Sequence, residues 1–245
     1  MSQVTTDAAA LESQVRTARL TGVFYLALGV TGLLGFLIIR PMLFVPLDAS
    51  ATLARLVNHP GLARVGVALE LGIVISQTLA ALWFFRLFRR VDDFAAGALA
   101  ACGLVNAVVV LGSAALLGTA LQVALAPGEA TPAVPHLMYV ASTNLWQVGN
   151  VFFGLWLIPM GWCVVHARRM PRLLGRILMI GGVGYVLNGF AAYLLPPAEL
   201  ISGLLVLPAT VGEFWMIGYL LVGRVDCGEP ATTNHRGTGS LNAPA

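Results

Sequence analysis

The sequence is poor in charged side chains and contains no lysine. Its 14 basic residues are all arginine, and 11 residues are acidic, in a chain of 245. Soluble domains carry charge on about a quarter of their residues, so 10% charged residues excludes a water-facing globular surface. Hydrophobic residues make up 58% of the chain, which excludes intrinsic disorder. Three cysteines and glycines without a triplet period exclude a disulfide-stapled scaffold and a collagen.

Catalytic and ligand-binding signatures are also absent. The sequence has no GxxxxGK[ST] phosphate loop, no GxGxxG, no HExxH and no GxSxG. Its four histidines are scattered and its three cysteines lie far apart, so neither a metal site nor a disulfide is predicted. We therefore expect no cofactor, no metal and no nucleic-acid partner. An enzyme acting on lipid is the least favoured function, because two separated glutamates form no acid–base pair.

Six long apolar stretches dominate the sequence instead. A membrane-spanning helix needs about 20 mostly apolar residues, whereas a strand of a membrane barrel needs about ten that alternate. The predicted fold is therefore all-α, a polytopic six-transmembrane-helix bundle. Residues 19–224 form its single membrane domain, after a cytoplasmic N-terminal segment (1–18) and before a disordered cytoplasmic tail (225–245). The predicted spans are residues 20–39, 65–88, 94–117, 145–165, 174–195 and 200–222.

The positions of the arginines predict the orientation. Three lie in the loop after the first span, and the other eleven lie on the opposite side of the membrane. Because basic loops stay in the cytoplasm, both termini are predicted to be cytoplasmic, which requires an even number of spans. Arginine-only usage also indicates a bacterial genome, so we expect a multi-pass protein of the bacterial inner (cell) membrane. The eleven cytoplasmic arginines are expected to contact anionic lipid headgroups.

Two loops on the outer side have readable features. In the first, residues 40–64, Asp48 or Ser50 can cap a short helix along the interface, with Leu53, Leu56 and Val57 as its apolar stripe. The longest outer loop is predicted to run over residues 119–144, where several prolines forbid a continuous further span.

Polar side chains inside the spans are the best candidates for function. A charged residue at mid-membrane costs about 2.5–3.5 kcal/mol, so Glu70 and Glu213 should face the interior of the bundle. At 100° per residue, four amide side chains fall on polar helix faces as well. Together these six predict a polar cavity that opens outward, is lined by spans two, four, five and six, and is floored near Glu213. The amides are Gln77, Gln147, Asn150 and Asn188.

Two functions remain open at this point. The leading hypothesis is binding or transport of a small molecule or ion, in which the glutamates serve as proton-coupled or cation-binding sites. The alternative is a structural or accessory membrane protein that partners another membrane complex or a second copy of itself, without transport or catalysis. In that case the amides join helices, and each glutamate is a structural group paired with neighbouring donors. Arg64 is one candidate partner for Glu70.

Three motifs resemble those of a bacterial membrane family, domain of unknown function 4386. The first is Phe-Phe-Gly in the fourth span, the second a cytoplasmic Pro-Arg-x-Leu-Gly turn, and the third Gly-x-Gly-Tyr in the fifth span. The resemblance covers about residues 16–224 and implies six helices, but no established activity. In the turn, Pro171 is expected to start a helix, Arg172 to stay at the headgroups, and Gly175 to allow close packing. The motif residues are Phe152, Phe153 and Gly154; Pro171, Arg172, Leu174 and Gly175; and Gly182, Gly184 and Tyr185.

Overall fold

The computed structural model describes residues 2–128, 131–194 and 199–223, and this part of the chain is helical without a strand. Six of its helices are long and apolar enough to cross a membrane, which confirms the predicted six-helix, all-α fold. Arg224 and the predicted tail, which contains Arg236, lie outside the described residues. The elements are α1 (Ser2–Gly32), a π-helical segment (Leu33–Ile39), α2 (Arg40–Leu43), α3 (Ala49–Asn58), α4 (Pro60–Phe88), α5 (Asp93–Ala124), α6 (Ala133–His166), α7 (Arg172–Leu194) and α8 (Glu199–Val222).

Helices α5 and α6 are longer than predicted. The loop expected over residues 119–144 is confined to the stretch between Ala124 and Ala133. Pro135 stands in the first turn of α6, where a backbone N–H has no partner within the helix, so the ring removes no hydrogen bond. Proline in the first turn of a helix is thus compatible with an early start of α6, which is the fourth span.

The spans form a ring in chain order, in which each packs on its sequence neighbours and α1 meets α8 to close the circle. This last contact is close where the apolar stretch of α1 begins, since a Cβ on Gly22 would lie 3.0 Å from Leu220 Cβ near the end of α8. The first and last spans thus begin and end on one side of the bundle, which we call the arginine-rich end. That this end faces the cytoplasm stays a prediction from the arginine count.

Helices α6 and α7 touch backbone to backbone through four glycines. A Cβ on Gly182 would lie 2.8 Å from the Gly154 carbonyl oxygen, and one on Gly175 would lie 2.6 Å from the Gly161 oxygen. The two contacts are seven residues apart on each helix, so the same pair of faces meets twice. Helix α7 begins at Arg172, directly after Pro171, as predicted. The glycines of the sequence motifs are therefore packing residues, typical of close helix pairs in membranes.

The short helix predicted in the loop over residues 40–64 is present as α3. Its N-cap is Asp48, whose Oδ1 accepts a hydrogen bond of 2.8 Å from the Ala51 N–H. Leu56 is fully buried and Leu53 partly buried, but Val57 is exposed, so the apolar stripe is narrower than predicted. Thr52 instead takes the second buried position on this helix.

Asp92 joins α5 to α6 at the arginine-rich end. Its Oδ1 accepts from the Ala95 N–H and its Oδ2 from Trp162 Nε1–H, each at 2.9 Å. The backbone hydrogen bond first, and then that from Trp162, hold the pKa of this carboxyl below its ordinary value. The carboxylate therefore stabilises the fold at neutral pH, and this contribution is lost as the pH falls below about 4 towards the folded-state pKa.

Replacement of Asp92 by asparagine tests this link. Asparagine can still cap α5 by accepting a hydrogen bond from the Ala95 N–H. Its amide N–H₂ then faces the indole N–H of Trp162, and two donors cannot form a hydrogen bond. We expect a lower Tm in detergent at pH 7 and a smaller difference from wild type at pH 3.5. The matched control is Asp93→Asn, because Asp93 is exposed. Equal Tm differences for Asp92→Asn at the two pH values would contradict a charge-dependent link.

Candidate functional site

A buried ion pair joins the first two spans. Arg40 Nη2 lies 2.8 Å from Glu70 Oε1, and the two residues are only 7% and 4% exposed. Sequence reasoning selected Glu70 but assigned Arg40 to a loop. Arg64, the partner considered at that stage, is not bonded to Glu70 in the described structure, and Arg40 holds that position. An ion pair inside a membrane bundle offsets part of the cost of burying two charges.

The π-helical segment explains how Arg40 comes to point inward. The backbone N–H of Arg40 donates to the Gly35 carbonyl, five residues back, as in a π-helix. Arg40 therefore lies above Gly35 on the helix surface. Gly35 is buried against α4, since a Cβ added to it would lie 3.4 Å from Leu69 Cβ. In a regular α-helix the same five residues would place Arg40 about 140° away around the axis. The wider turn is thus what carries the guanidinium to Glu70.

Hydroxyl and indole groups from α5 and α6 complete what we call the Arg40 cluster. Arg40 donates to the hydroxyls of Ser142 at 2.7 Å and Thr143 at 3.0 Å. Trp146 Nε1–H donates to Glu70 Oε1 at 3.2 Å and to Ser113 Oγ at 3.1 Å, and the hydroxyls of Ser113 and Ser142 lie 2.6 Å apart. The cluster therefore connects four of the six spans. Its members are Arg40, Glu70, Ser113, Ser142, Thr143 and Trp146.

Two amides lie deeper in the bundle on the same faces of α4 and α5. Gln77 follows Glu70 by seven residues, and Asn106 precedes Ser113 by seven, so both are about 10 Å nearer the arginine-rich end. They are 0% and 1% exposed, and their side-chain oxygen and nitrogen atoms have no hydrogen-bond partner among the described residues. Neither amide therefore joins two helices by a direct hydrogen bond, although such bonding is the common role of amides in membrane helices.

A cleft opens beside this cluster, between the first span and α8. Its outer part is a cavity of about 380 Å³ lined by Phe36, Gln147 and Asn150, among others. Its deeper part is a cavity of about 140 Å³ that contains Glu213. The two cavities share Gly32, Trp146 and Phe153 in their walls, so we treat them as one cleft. The cleft lies where α1 and α8 have separated beyond their contact at the arginine-rich end.

Glu213 is the polar centre of the deeper cavity. It lies near the middle of the span Gly203–Val222 and is partly buried. Its Oε1 accepts a hydrogen bond of 2.7 Å from the hydroxyl of Tyr25. Tyr25 is 2% exposed and packs edge-on against Phe84, so the hydroxyl is held in place. The carboxyl group is therefore fixed on one side and faces the cavity on the other.

The structure divides the six residues predicted from the sequence into two groups. Gln147, Asn150 and Glu213 line the cleft. The other three, Glu70, Gln77 and Asn188, do not line it. Asn188 on α7 is 7% exposed, and its oxygen has no hydrogen-bond partner among the described residues. The cleft is also lined by the first span, which the sequence hypothesis left out, while α4 contributes Ile73 rather than a polar residue.

Sequence reasoning missed three residues of this region. Arg40 was assigned to a loop because hydropathy ends the first span one residue earlier. Trp146 lies at the predicted start of the fourth span, where an interfacial position is the usual interpretation for tryptophan, although its indole N–H is bonded inside the bundle. Tyr25 carried a usable signal, since a hydroxyl within an apolar span needs a partner, and Glu213 is an acceptor at similar depth.

The walls of the cleft carry few polar side chains. In the part of the chain that the structure describes, no three His, Cys, Asp or Glu side chains are close enough to hold one metal ion. The walls are mainly aromatic and aliphatic, and their polar side chains include Thr143, Gln147 and Asn150 in one cavity and Tyr25, Thr210 and Glu213 in the other. Apolar walls with a few placed polar groups are typical of small-molecule sites.

Comparison with known proteins identifies a family but no described relative. The family model for a domain of unknown function, DUF4386, matches residues 20–223. No curated protein and no solved structure matches the chain.

Proposed function

The chain belongs to the DUF4386 family of uncharacterised membrane proteins, and from this premise we propose that it binds a small, largely apolar molecule in the cleft between α1 and α8. The observation that carries the proposal is the placement of Glu213 in the wall of a cavity at mid-membrane. Placing a carboxyl group at this depth costs free energy, so its presence there favours a functional role. Transport of the bound molecule is the natural extension of this function.

The shape of the cleft indicates how a ligand reaches it. The outer cavity is lined by Leu33, Phe36 and Leu37 on one side and by Val206 of α8 on the other. These side chains belong to two spans that face the lipid, and Leu37 and Phe36 are exposed. A molecule dissolved in the bilayer could therefore enter sideways between the first and last spans. Gln147 and Asn150 would then meet its polar group first, and Glu213 would lie deeper.

The arginines at the other end fit the proposed lipid setting. Arg86, Arg89 and Arg90 line a separate polar cavity of about 190 Å³ with Ser13 and Thr17. We propose that this cavity contacts anionic headgroups, as basic pockets between helices do at membrane surfaces. It lies at the opposite end of the bundle from Arg40, so headgroup binding there is separate from binding in the cleft.

Gly32 allows the cleft to be filled without disturbing the fold. It lines both cavities, and a Cβ on it would meet nothing within 4 Å. We expect Gly32→Leu to retain the wild-type Tm in detergent but to lose stabilisation by cleft ligands. Saturating a site at 100 times Kd stabilises a protein by about 2.7 kcal/mol, which is a shift of several degrees in a thermal scan. The measurement is Tm against a panel of small aromatic and aliphatic amines, alcohols and hydrocarbons.

The matched control is Gly118→Leu on α5, where a Cβ also meets nothing within 4 Å. This variant should respond to ligands as wild type does. If no compound shifts the wild-type Tm, or if a shift survives in Gly32→Leu, binding in this cleft is contradicted. A panel without any effect would favour the accessory role and direct the search to a partner protein.

A further inference from the structure

We infer that the ligand of this cleft is an organic cation, an inference that rests on the proposed function and specifies its substrate class. The charges in the walls carry it. Among the described residues that line the two cavities, Glu213 is the one acid, and no arginine or histidine is present. A bound molecule thus meets a carboxyl group without a neighbouring base. An anion would be repelled by it, and a cation would pair with it in a medium of low dielectric constant.

The nearest strong positive charge does not neutralise Glu213. Arg40 lies behind the cleft wall, with its guanidinium carbon 5.2 Å from the centre of the Phe36 ring and its Nη1 bonded to Thr143. Its charge is matched by Glu70 at 2.8 Å. Arg40 and Glu70 thus form a neutral pair, and the hydrogen-bond donor to Glu213 is the uncharged hydroxyl of Tyr25. The carboxyl group is left to be paired by the ligand.

A row of aromatic rings lines the cleft, and two of them, Trp146 and Phe153, also line the cavity that contains Glu213. Trp146 stacks with Phe153 at a centroid distance of 6.4 Å, and Phe153 stacks with Tyr185 at 5.9 Å. Phe36 also packs on Trp146, at a centroid distance of 5.1 Å. Ring faces attract cations, most strongly when water is excluded, and cages of such rings bind quaternary ammonium groups. Aromatic walls with a single carboxylate therefore favour an alkylated or aryl ammonium over a small hydrated metal ion.

Two probes of equal shape separate charge from hydrophobicity. Benzyltrimethylammonium carries a quaternary nitrogen, and neopentylbenzene has carbon in its place. We expect wild type in detergent to bind the ammonium at least about tenfold more tightly, by ligand-dependent Tm and by quenching of tryptophan fluorescence. Glu213→Gln should abolish this preference. Tyr25→Phe, which removes a hydrogen bond but keeps the carboxyl group, should retain it.

The outcomes distinguish this inference from the proposal beneath it. Equal binding of both probes by wild type, blocked in Gly32→Leu, would overturn the cation inference and keep the cleft as a binding site. Binding of neither probe at millimolar concentration by folded wild type would overturn both. The wild-type comparison decides the question even if Glu213→Gln does not fold, and tight binding of benzenesulfonate would count against a cation site.

Discussion

Glu70→Ala is expected to lower the free energy of unfolding by about 3–5 kcal/mol, because it leaves Arg40 charged and buried without its carboxylate. Arg40 is 7% exposed, so water cannot replace the lost partner without opening the bundle. Ser142 and Thr143 still accept hydrogen bonds from the guanidinium but carry no charge. Denaturant unfolding in detergent micelles measures the change. Glu12→Ala, at an exposed position of the span that carries Arg40, is the control and should change stability by less than about 0.5 kcal/mol.

A double-mutant cycle separates the interaction free energy between Arg40 and Glu70 from the contribution of each side chain to packing. Arg40→Met and Glu70→Met each leave one buried charge, whereas the double substitution leaves none. The serines of the cluster can still bond each other, since their hydroxyls lie 2.6 Å apart. We expect the double variant to be more stable than the sum of the single effects by at least about 1 kcal/mol. Additive effects would show that the ion pair contributes nothing beyond the volume of its side chains.

Gly182→Ala is expected to cost about 3 kcal/mol, at the upper end of the range for an overpacked core. The new methyl group would lie 2.8 Å from the Gly154 carbonyl oxygen and 3.1 Å from the Ile158 nitrogen. Both are backbone atoms, so no side-chain rotation relieves the clash, and α6 and α7 must move apart. That movement would also disturb the Gly161–Gly175 contact two turns away.

The control for this effect is Gly118→Ala, which adds the same methyl group to a helix interior with nothing within 4 Å. Alanine favours a helix over glycine by about 1 kcal/mol, so this variant should keep or raise the Tm. Thermal unfolding in detergent compares the two substitutions directly. A Gly182→Ala variant as stable as Gly118→Ala would mean that α6 and α7 do not meet backbone to backbone.

The spans were predictable because bilayer thickness imposes their length and apolar character. Close packing at Gly175 was predictable too, since glycine in a membrane helix favours close approach, but the helix it would pack against was not. The end of α5 and the start of α6 were not predictable from hydropathy. Polar residues lower the hydropathy equally whether they lie in a loop or face the interior of the bundle. Ser142, Thr143 and Asn144 ended the predicted loop for this reason, yet they lie within α6.

The site was predictable only in part, for a geometric reason. Helical-wheel reasoning assumes 100° per residue, and the π-helical segment violates that assumption just before Arg40. No residue type predicts a π-helical turn, so residue spacing could not predict that Arg40 points into the bundle. Glu213 was identified because its cost in the bilayer does not depend on helix register. Its partner Tyr25 is 188 residues away in sequence, and that pairing requires the ring of helices to be closed.

That closure has a consequence for how the protein is assembled. The ring is completed by contact between the first and the sixth of the described spans, which lie far apart in sequence. During synthesis α8 is made after the other five of these spans, so Tyr25 and Glu213 cannot pair until α8 has been inserted. The cleft is thus absent from intermediates that lack α8. A ligand that binds there would favour the docking of α8 by mass action.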